Sequence, residues 1–121
     1  MALLLLVDDD PNIVETAKDI LEEAAHTVDT AGTSAEALAL ARAGRYDVMI
    51  VDLHLPDGSG LDLAAKAHAL NPKLLVFLMT GEAGVDKGAA ASAIYEILTK
   101  PVNPPELLAR LQNALARRRE C

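Results

Sequence analysis

Five polar residues, each at the end of an apolar segment, have the types and spacing to do chemistry together. They are Asp8, Asp9, Asp52, Thr80 and Lys100. Carboxylates held close together repel one another unless a cation compensates their charge. Mg²⁺ suits such a site, because it binds through one or two carboxylates together with a phosphate. The set therefore predicts phosphoryl chemistry with a carboxylate nucleophile, in which the metal, the hydroxyl and the ammonium stabilise the transferred oxygens.

The apolar segments that precede these residues predict buried strands separated by helices. Residues 3–7 form a continuous apolar run, typical of a strand covered on both faces of a parallel sheet. From Asn12 onward the apolar residues recur at helical spacing. The same reasoning predicts strands at 27–31, 47–51, 74–79 and 95–99, and helices between 34 and 44, at 61–70, at 84–93 and at 104–119. This alternation predicts a doubly wound α/β domain with a five-stranded parallel sheet and helices on both faces.

Capping residues and prolines predict where the helices begin. Asp10 or Asn12 is expected to cap the first helix and Ser34 the second, because short polar side chains accept hydrogen bonds from first-turn amides. Asn103, which precedes two prolines, marks the start of the last helix. Residues 53–60 are rich in Pro and Gly and are predicted to form a loop.

The strand ends predict one shared site. In an open α/β sheet, ligands bind beyond the carboxyl ends of the strands. Four of the five predicted strands end in one of the reactive side chains, so these side chains are expected to meet. The second strand ends in Ala31 and Gly32, and its more polar pattern is typical of a sheet edge away from the site.

Length and composition limit the possible functions. The 121 residues favour a single domain, residues 1–121. With 18 Asp and Glu against 11 Lys and Arg, the net charge of −7 argues against nucleic-acid binding. The apolar run at 3–7 is too short to span a membrane. The single cysteine, Cys121, favours a reducing, cytoplasmic location.

The reactive residues and their order resemble the receiver domain of two-component response regulators. The resemblance covers the entire chain and includes Lys100-Pro101 and the string Asp-Leu-His-Leu-Pro-Asp-Gly-Ser-Gly that begins at Asp52. It implies a flavodoxin-like sheet of order 2-1-3-4-5 and a cis peptide bond before Pro101. It also implies a regulatory phosphoacceptor domain rather than an enzyme.

The resemblance implies a phosphoacceptor and a metal site. Asp52 would accept a phosphoryl group from a histidine kinase or a phosphotransfer protein. Asp8, Asp9 and Asp52 would hold Mg²⁺ together with the backbone carbonyl of His54.

Further positions are implied to support the phosphoryl group. Thr80 and Lys100 would each bind one of its oxygens, and Gly81 would leave the approach to the acceptor open. His54 and Glu82, each two residues beyond a site residue, would tune the rate of hydrolysis.

Phosphorylation is expected to switch a protein-interaction surface around residues 84–116. The partner that binds that surface would be a downstream protein, a fused effector domain or a second copy in a phosphorylation-linked homodimer. The family usually carries an aromatic residue three positions before the lysine, where this chain has Ile97. Tyr95, two residues earlier, is predicted to lie on the same strand face, which makes it the candidate to take that role; the sequence leaves open whether it does.

Two alternatives remain open from the residues. Asp8-Asp9-Asp10 fits the Asp-x-Asp signature of a haloacid dehalogenase-type phosphatase, in which Asp8 would be the acceptor, although the chain lacks a cap segment. A receiver-like scaffold that acts without phosphorylation is the other. His26 and His68 are predicted to lie on polar faces and to have no part in a metal site.

Overall fold

A computed structural model describes residues 2–44, 46–82, 84 and 92–120 of the chain. Strands and helices alternate along these residues. In chain order they are β1 (Leu3–Val7), α1 (Pro11–Glu23), β2 (Thr27–Ala31), α2 (Ser34–Ala43), β3 (Val48–Asp52), β4 (His54–Leu55), β5 (Gly58–Ser59), α3 (Gly60–Leu70), β6 (Leu75–Thr80), β7 (Ile94–Thr99) and α4 (Pro104–Glu120). None of the helices in these described ranges is long and apolar enough to cross a membrane.

Five strands form one parallel sheet in the order β2-β1-β3-β6-β7. Counted along the large sheet alone, this is the order 2-1-3-4-5, so the predicted fold class is confirmed. All five residues of β3 are buried, as expected for a central strand, whereas β2 alternates between exposed and buried positions at the sheet edge.

Helices cover both faces of the sheet. Alternate residues of each strand point to opposite faces, which divides the interior into two apolar clusters. One cluster packs α2 and α3 on the sheet, and the other packs α1 and α4. The two layers leave the carboxyl ends of the strands uncovered, and the reactive residues lie at those ends.

The predicted helix starts need one correction. Asp10 caps α1 by accepting a hydrogen bond from the Asn12 amide, as predicted. The cap of α2 is Thr33 rather than Ser34, because Thr33 has the extended backbone and its hydroxyl accepts from the amide of Glu36. The amide of Ser34 instead donates to a distant carboxylate described below.

Two further predictions were incomplete or wrong. Residues 53–60 are not only a loop, since β4 and β5 pair as a short antiparallel hairpin. His26 does not lie on a polar face: it is buried, and its Nδ1 accepts a hydrogen bond from the Ala2 amide at 3.1 Å. The helix predicted at 84–93 lies mostly outside the described residues.

A bulge in β7 corrects the prediction for Tyr95. Tyr95 is an extra residue in the pairing of β6 with β7 and packs against Phe77, with ring centroids 5.5 Å apart. Phe77 belongs to the cluster under α1 and α4, whereas Ile97 packs against the cluster under α2 and α3. Tyr95 and Ile97 therefore lie on opposite faces, because an inserted residue reverses the alternation of a strand.

Candidate functional site

The sheet brings all five predicted reactive residues to one edge. Asp8 and Asp9 follow β1, Asp52 ends β3, Thr80 ends β6 and Lys100 follows β7. Because the strands are parallel and adjacent in the order β1-β3-β6-β7, their carboxyl ends lie side by side. The edge strand β2 supplies no reactive side chain, as predicted.

Three carboxylates form an acidic pocket at this edge. One oxygen from each of Asp8, Asp9 and Asp52 lies within 4.8 Å of the others. Asp8 and Asp52 are buried, and Asp9 is exposed. No hydrogen bond joins these carboxylates in the described part of the chain, so a single cation could neutralise all three.

Asp8 fits the role of a cation ligand. Its Oδ1 accepts a hydrogen bond from the Asp10 amide at 3.0 Å. Its Oδ2 is buried and has no hydrogen-bond partner among the described residues. Burial raises the pKa of Asp8, and the compensation from the Asp10 amide and from Lys100 is smaller than this effect. A hard divalent cation would supply the remaining compensation, so the donor set fits Mg²⁺.

Lys100 is paired with the carboxylates. Its Nζ donates to Asp52 Oδ2 at 2.7 Å and lies 3.8 Å from Asp8 Oδ2. Burial lowers the pKa of Lys100, but the hydrogen bond to Asp52 and the nearby charges outweigh burial and raise it. The ammonium is therefore charged at neutral pH. The peptide bond from Lys100 to Pro101 is cis, as the sequence resemblance implied.

Thr80 is held between neighbouring segments. It is buried, and its hydroxyl oxygen accepts a hydrogen bond from the Glu82 amide at 3.0 Å. Its backbone carbonyl accepts from the Lys100 amide at 2.8 Å. These bonds join the ends of β6 and β7 and fix the hydroxyl at the same edge as Asp52.

His54 and Glu82 meet above the pocket. The backbone amide of His54 donates a hydrogen bond to Asp52 Oδ1 at 3.3 Å. The imidazole Nε2 of His54 lies 2.5 Å from Glu82 Oε1. Both side chains are more than half exposed. The sequence singled out each position separately but did not predict the pair. Their equal offsets from the ends of two neighbouring strands were the available signal.

Sequence reasoning gave no role to Asp57, at the tip of the hairpin that follows Asp52, or to Gly60, the first residue of α3. A Cβ added to Gly60 would lie 2.2 Å from the carbonyl oxygen of Asp52, so only glycine fits there. Asp57 accepts hydrogen bonds from the amides of Ser34 and Ala35 in α2. The Asp-Gly pair at residues 57–58 was a turn signal, but nothing local to the string indicated a bond to α2.

Comparisons with known proteins agree on one family. The family model described as "Response regulator receiver domain" matches residues 4–112. The chain is 38% identical to the probable transcriptional regulatory protein TcrX of Mycobacterium tuberculosis over 116 residues, which cover 94% of the chain and 50% of that protein. It is 31% identical to the transcriptional regulatory protein GlrR of Escherichia coli over 116 residues, 94% of the chain and 26% of that protein. The chain thus spans about half the length of these curated relatives or less.

Solved structures give the same result. A CheY-like response regulator receiver domain protein from Methanospirillum hungatei superposes with a TM-score of 0.92 at 31% identity, covering 99% of this chain and 98% of the other. The response regulator protein TrrA from Thermotoga maritima, in complex with Mg²⁺ and BeF, gives a TM-score of 0.83 at 32% identity. That match covers 93% of this chain and 98% of the other.

Proposed function

The chain belongs to the response regulator receiver family of two-component signalling, and on that premise we propose that Asp52 accepts a phosphoryl group from a histidine kinase or a phosphotransfer protein. One observation carries the assignment to Asp52. The Oδ2 of Asp52 accepts a hydrogen bond from the ammonium of Lys100. The side chain of Asp52 is 11% exposed, whereas that of Asp8 is fully buried. Asp52 is therefore the buried carboxylate that a donor can reach.

Receiver domains bind Mg²⁺ at an acidic pocket, and this chain has one. We propose that Asp8, Asp9, Asp52 and the backbone carbonyl of His54 hold the ion. When bound, Mg²⁺ neutralises charge on the phosphoryl oxygens. Asp8 Oδ2, which is buried and accepts no hydrogen bond from the described residues, supports this assignment most directly.

The remaining residues would stabilise the transfer. An oxygen of Asp52 attacks phosphorus, a P–O bond forms, the P–N bond to the donor imidazole breaks and the imidazole leaves. Lys100 then pairs with a phosphoryl oxygen in place of the carboxylate oxygen that it binds now. The hydroxyl of Thr80, which the Glu82 amide holds in place, would donate to another.

The phosphorylated domain would act by switching a protein-interaction surface around residues 84–116. Thr80 and Lys100 are joined by a backbone hydrogen bond, so a shift at the phosphoryl group reaches β7 and the start of α4. The relatives are named transcriptional regulatory proteins and are longer than this chain. We therefore propose that residues 1–121 form one regulatory domain that acts in the cytoplasm. Its binding partner would be a fused effector domain, a downstream protein or a second copy of the chain.

Membership of the receiver family and the full burial of Asp8 argue against the phosphatase alternative. A scaffold that acts without phosphorylation is an outcome of the following test.

Intact-mass spectrometry after incubation with a small phosphodonor tests the proposal. We expect one phosphoryl adduct on the wild type in the presence of Mg²⁺, none with a chelator and none on Asp52→Asn. Asp62→Asn is the matched control, because Asp62 is an exposed carboxylate in the first turn of α3. An adduct that persists in Asp52→Asn would exclude Asp52 as the acceptor. The absence of any adduct would favour the scaffold.

A further inference from the structure

Asp57 ties the hairpin that follows Asp52 to a different part of the chain. It lies at the tip of the hairpin, between β4 and β5. Its two oxygens accept hydrogen bonds from the amides of Ser34 and Ala35, at 2.7 and 3.0 Å. These amides are the first of α2 and lie 23 and 22 residues away in the sequence.

The bonds to Asp57 complete the start of α2. First-turn amides of a helix have no partner within the helix. The hydroxyl of Thr33 accepts a hydrogen bond from the amide of Glu36, and the carboxylate of Glu36 accepts one from the amide of Gly32. Within α2, the amides of Ser34 and Ala35 remain, and both donate to Asp57. These hydrogen bonds lower the pKa of the Asp57 carboxyl, so it is ionised at neutral pH.

Besides Asp57, the hairpin is held by backbone hydrogen bonds at its base and by the buried side chain of Leu55. Its strands are two residues long, and an isolated hairpin of this size is not stable alone. At its base, the Gly60 amide donates to the Leu53 carbonyl at 2.7 Å, and the Leu53 amide donates to the Met79 carbonyl at 2.9 Å. At its tip, the carboxylate of Asp57 provides both side-chain bonds to α2.

The same hairpin carries the backbone of His54. The His54 amide donates to Asp52 Oδ1, so the first strand of the hairpin lies directly beside the proposed acceptor. We propose that Asp57 is a positioning residue that, by fastening the tip of the hairpin to α2, holds the His54 carbonyl where it can bind the metal. This inference rests on the proposed function, because it assumes that the pocket binds Mg²⁺.

The alternative is that Asp57 only stabilises α2. The chain offers a control that separates the two roles. Thr33→Ala removes a cap of the same helix but no hydrogen bond to the hairpin. Asp57→Ala removes both bonds to α2, and Asp57→Asn keeps one carboxamide oxygen as an acceptor.

The test measures the dissociation constant of Mg²⁺ by NMR titration for the wild type, Asp57→Ala, Asp57→Asn and Thr33→Ala, and thermal unfolding without metal. We expect Asp57→Ala to weaken Mg²⁺ binding by about tenfold, the lower end of the effect of losing a group that supports a metal ligand. Asp57→Asn should be intermediate, and Thr33→Ala should lower thermal stability while binding Mg²⁺ as the wild type does. The metal-free amide shifts of His54 and Leu55 should change most in Asp57→Ala, less in Asp57→Asn and not at all in Thr33→Ala.

Two results would overturn the inference. One is an unchanged dissociation constant in Asp57→Ala, and the other is equal weakening in Asp57→Ala and Thr33→Ala. If the wild type is phosphorylated and binds Mg²⁺, either result removes only the role of Asp57. If the wild type binds no Mg²⁺, the proposed metal site fails together with this inference.

Discussion

At the scale of single residues, buried His26 is expected to make the stability of the domain depend on pH. Its Nδ1 accepts a hydrogen bond from the Ala2 amide, which requires that nitrogen to be unprotonated. Burial lowers the pKa of His26 in the folded chain. In the unfolded chain the same histidine titrates at about pH 6.5, so the unfolded chain binds a proton more readily than the folded chain does. The contribution to stability is therefore complete above that pH and is lost as the pH falls below it.

We predict that the free energy of unfolding decreases from about pH 7 to about pH 5.5 and that His26→Gln flattens this dependence. Urea unfolding at several pH values measures both. His68→Gln is the matched control, because the structure gives His68 no hydrogen bond or ion pair in the described residues and partial exposure on α3. Equal slopes for the wild type and His26→Gln would contradict the prediction.

At the scale of the elements, the turn from the hairpin into α3 packs its backbone directly against the site. Gly60 is the first residue of α3 and is buried against the carbonyl of Asp52. The contact is with backbone atoms, which cannot rotate away as a side chain could. The start of α3 and the backbone of Asp52, the proposed acceptor, are thus packed against each other.

Gly60→Ala is predicted to destabilise the domain by about 1–3 kcal/mol, the usual cost of overpacking, and to slow phosphorylation by displacing Asp52. Gly32→Ala is the control at the same edge of the sheet, since a Cβ there meets no atom within 4 Å. Chemical denaturation and the rate of adduct formation are the measurements. A Gly60→Ala variant as stable and as reactive as Gly32→Ala would refute the close-packing argument.

The elements also show how far sequence reasoning reaches. Apolar runs and helical spacing depend on local sequence, so the strands and the gathering of Asp8, Asp52 and Thr80 at one edge were predictable from them, whereas the order of the strands came from the family resemblance. The bulge at Tyr95 and the bonds from Asp57 to α2 were not. Both depend on which distant segment lies alongside, and neither leaves a periodic signal.

At the scale of the whole molecule, the site joins elements that are far apart in the sequence. The acidic pocket takes its carboxylates from the ends of β1 and β3, and Lys100 follows β7. Unfolding separates these residues. A ligand that needs all of them therefore binds the folded chain and stabilises it as a whole.

We predict that Mg²⁺ raises the melting temperature, with a stabilisation of about 2.7 kcal/mol at a free concentration near 100 times its dissociation constant. Calorimetry with Mg²⁺ and with a chelator measures the difference. Asp8→Asn should reduce the shift strongly, because it removes the charge of the buried ligand. A shift of the same size in Asp8→Asn would mean that Mg²⁺ acts elsewhere on the acidic surface.

Three carboxylates and one ammonium leave the pocket around Asp52 with surplus negative charge. A phosphodonor is also an anion, and like charges keep it away from such a pocket. A divalent cation would neutralise that surplus, so under the proposed function the cation and the donor would both have to be present before Asp52 could be phosphorylated. The domain would therefore work as a coincidence detector of cation and donor. In a cell depleted of divalent cations, even an active kinase would not phosphorylate this chain.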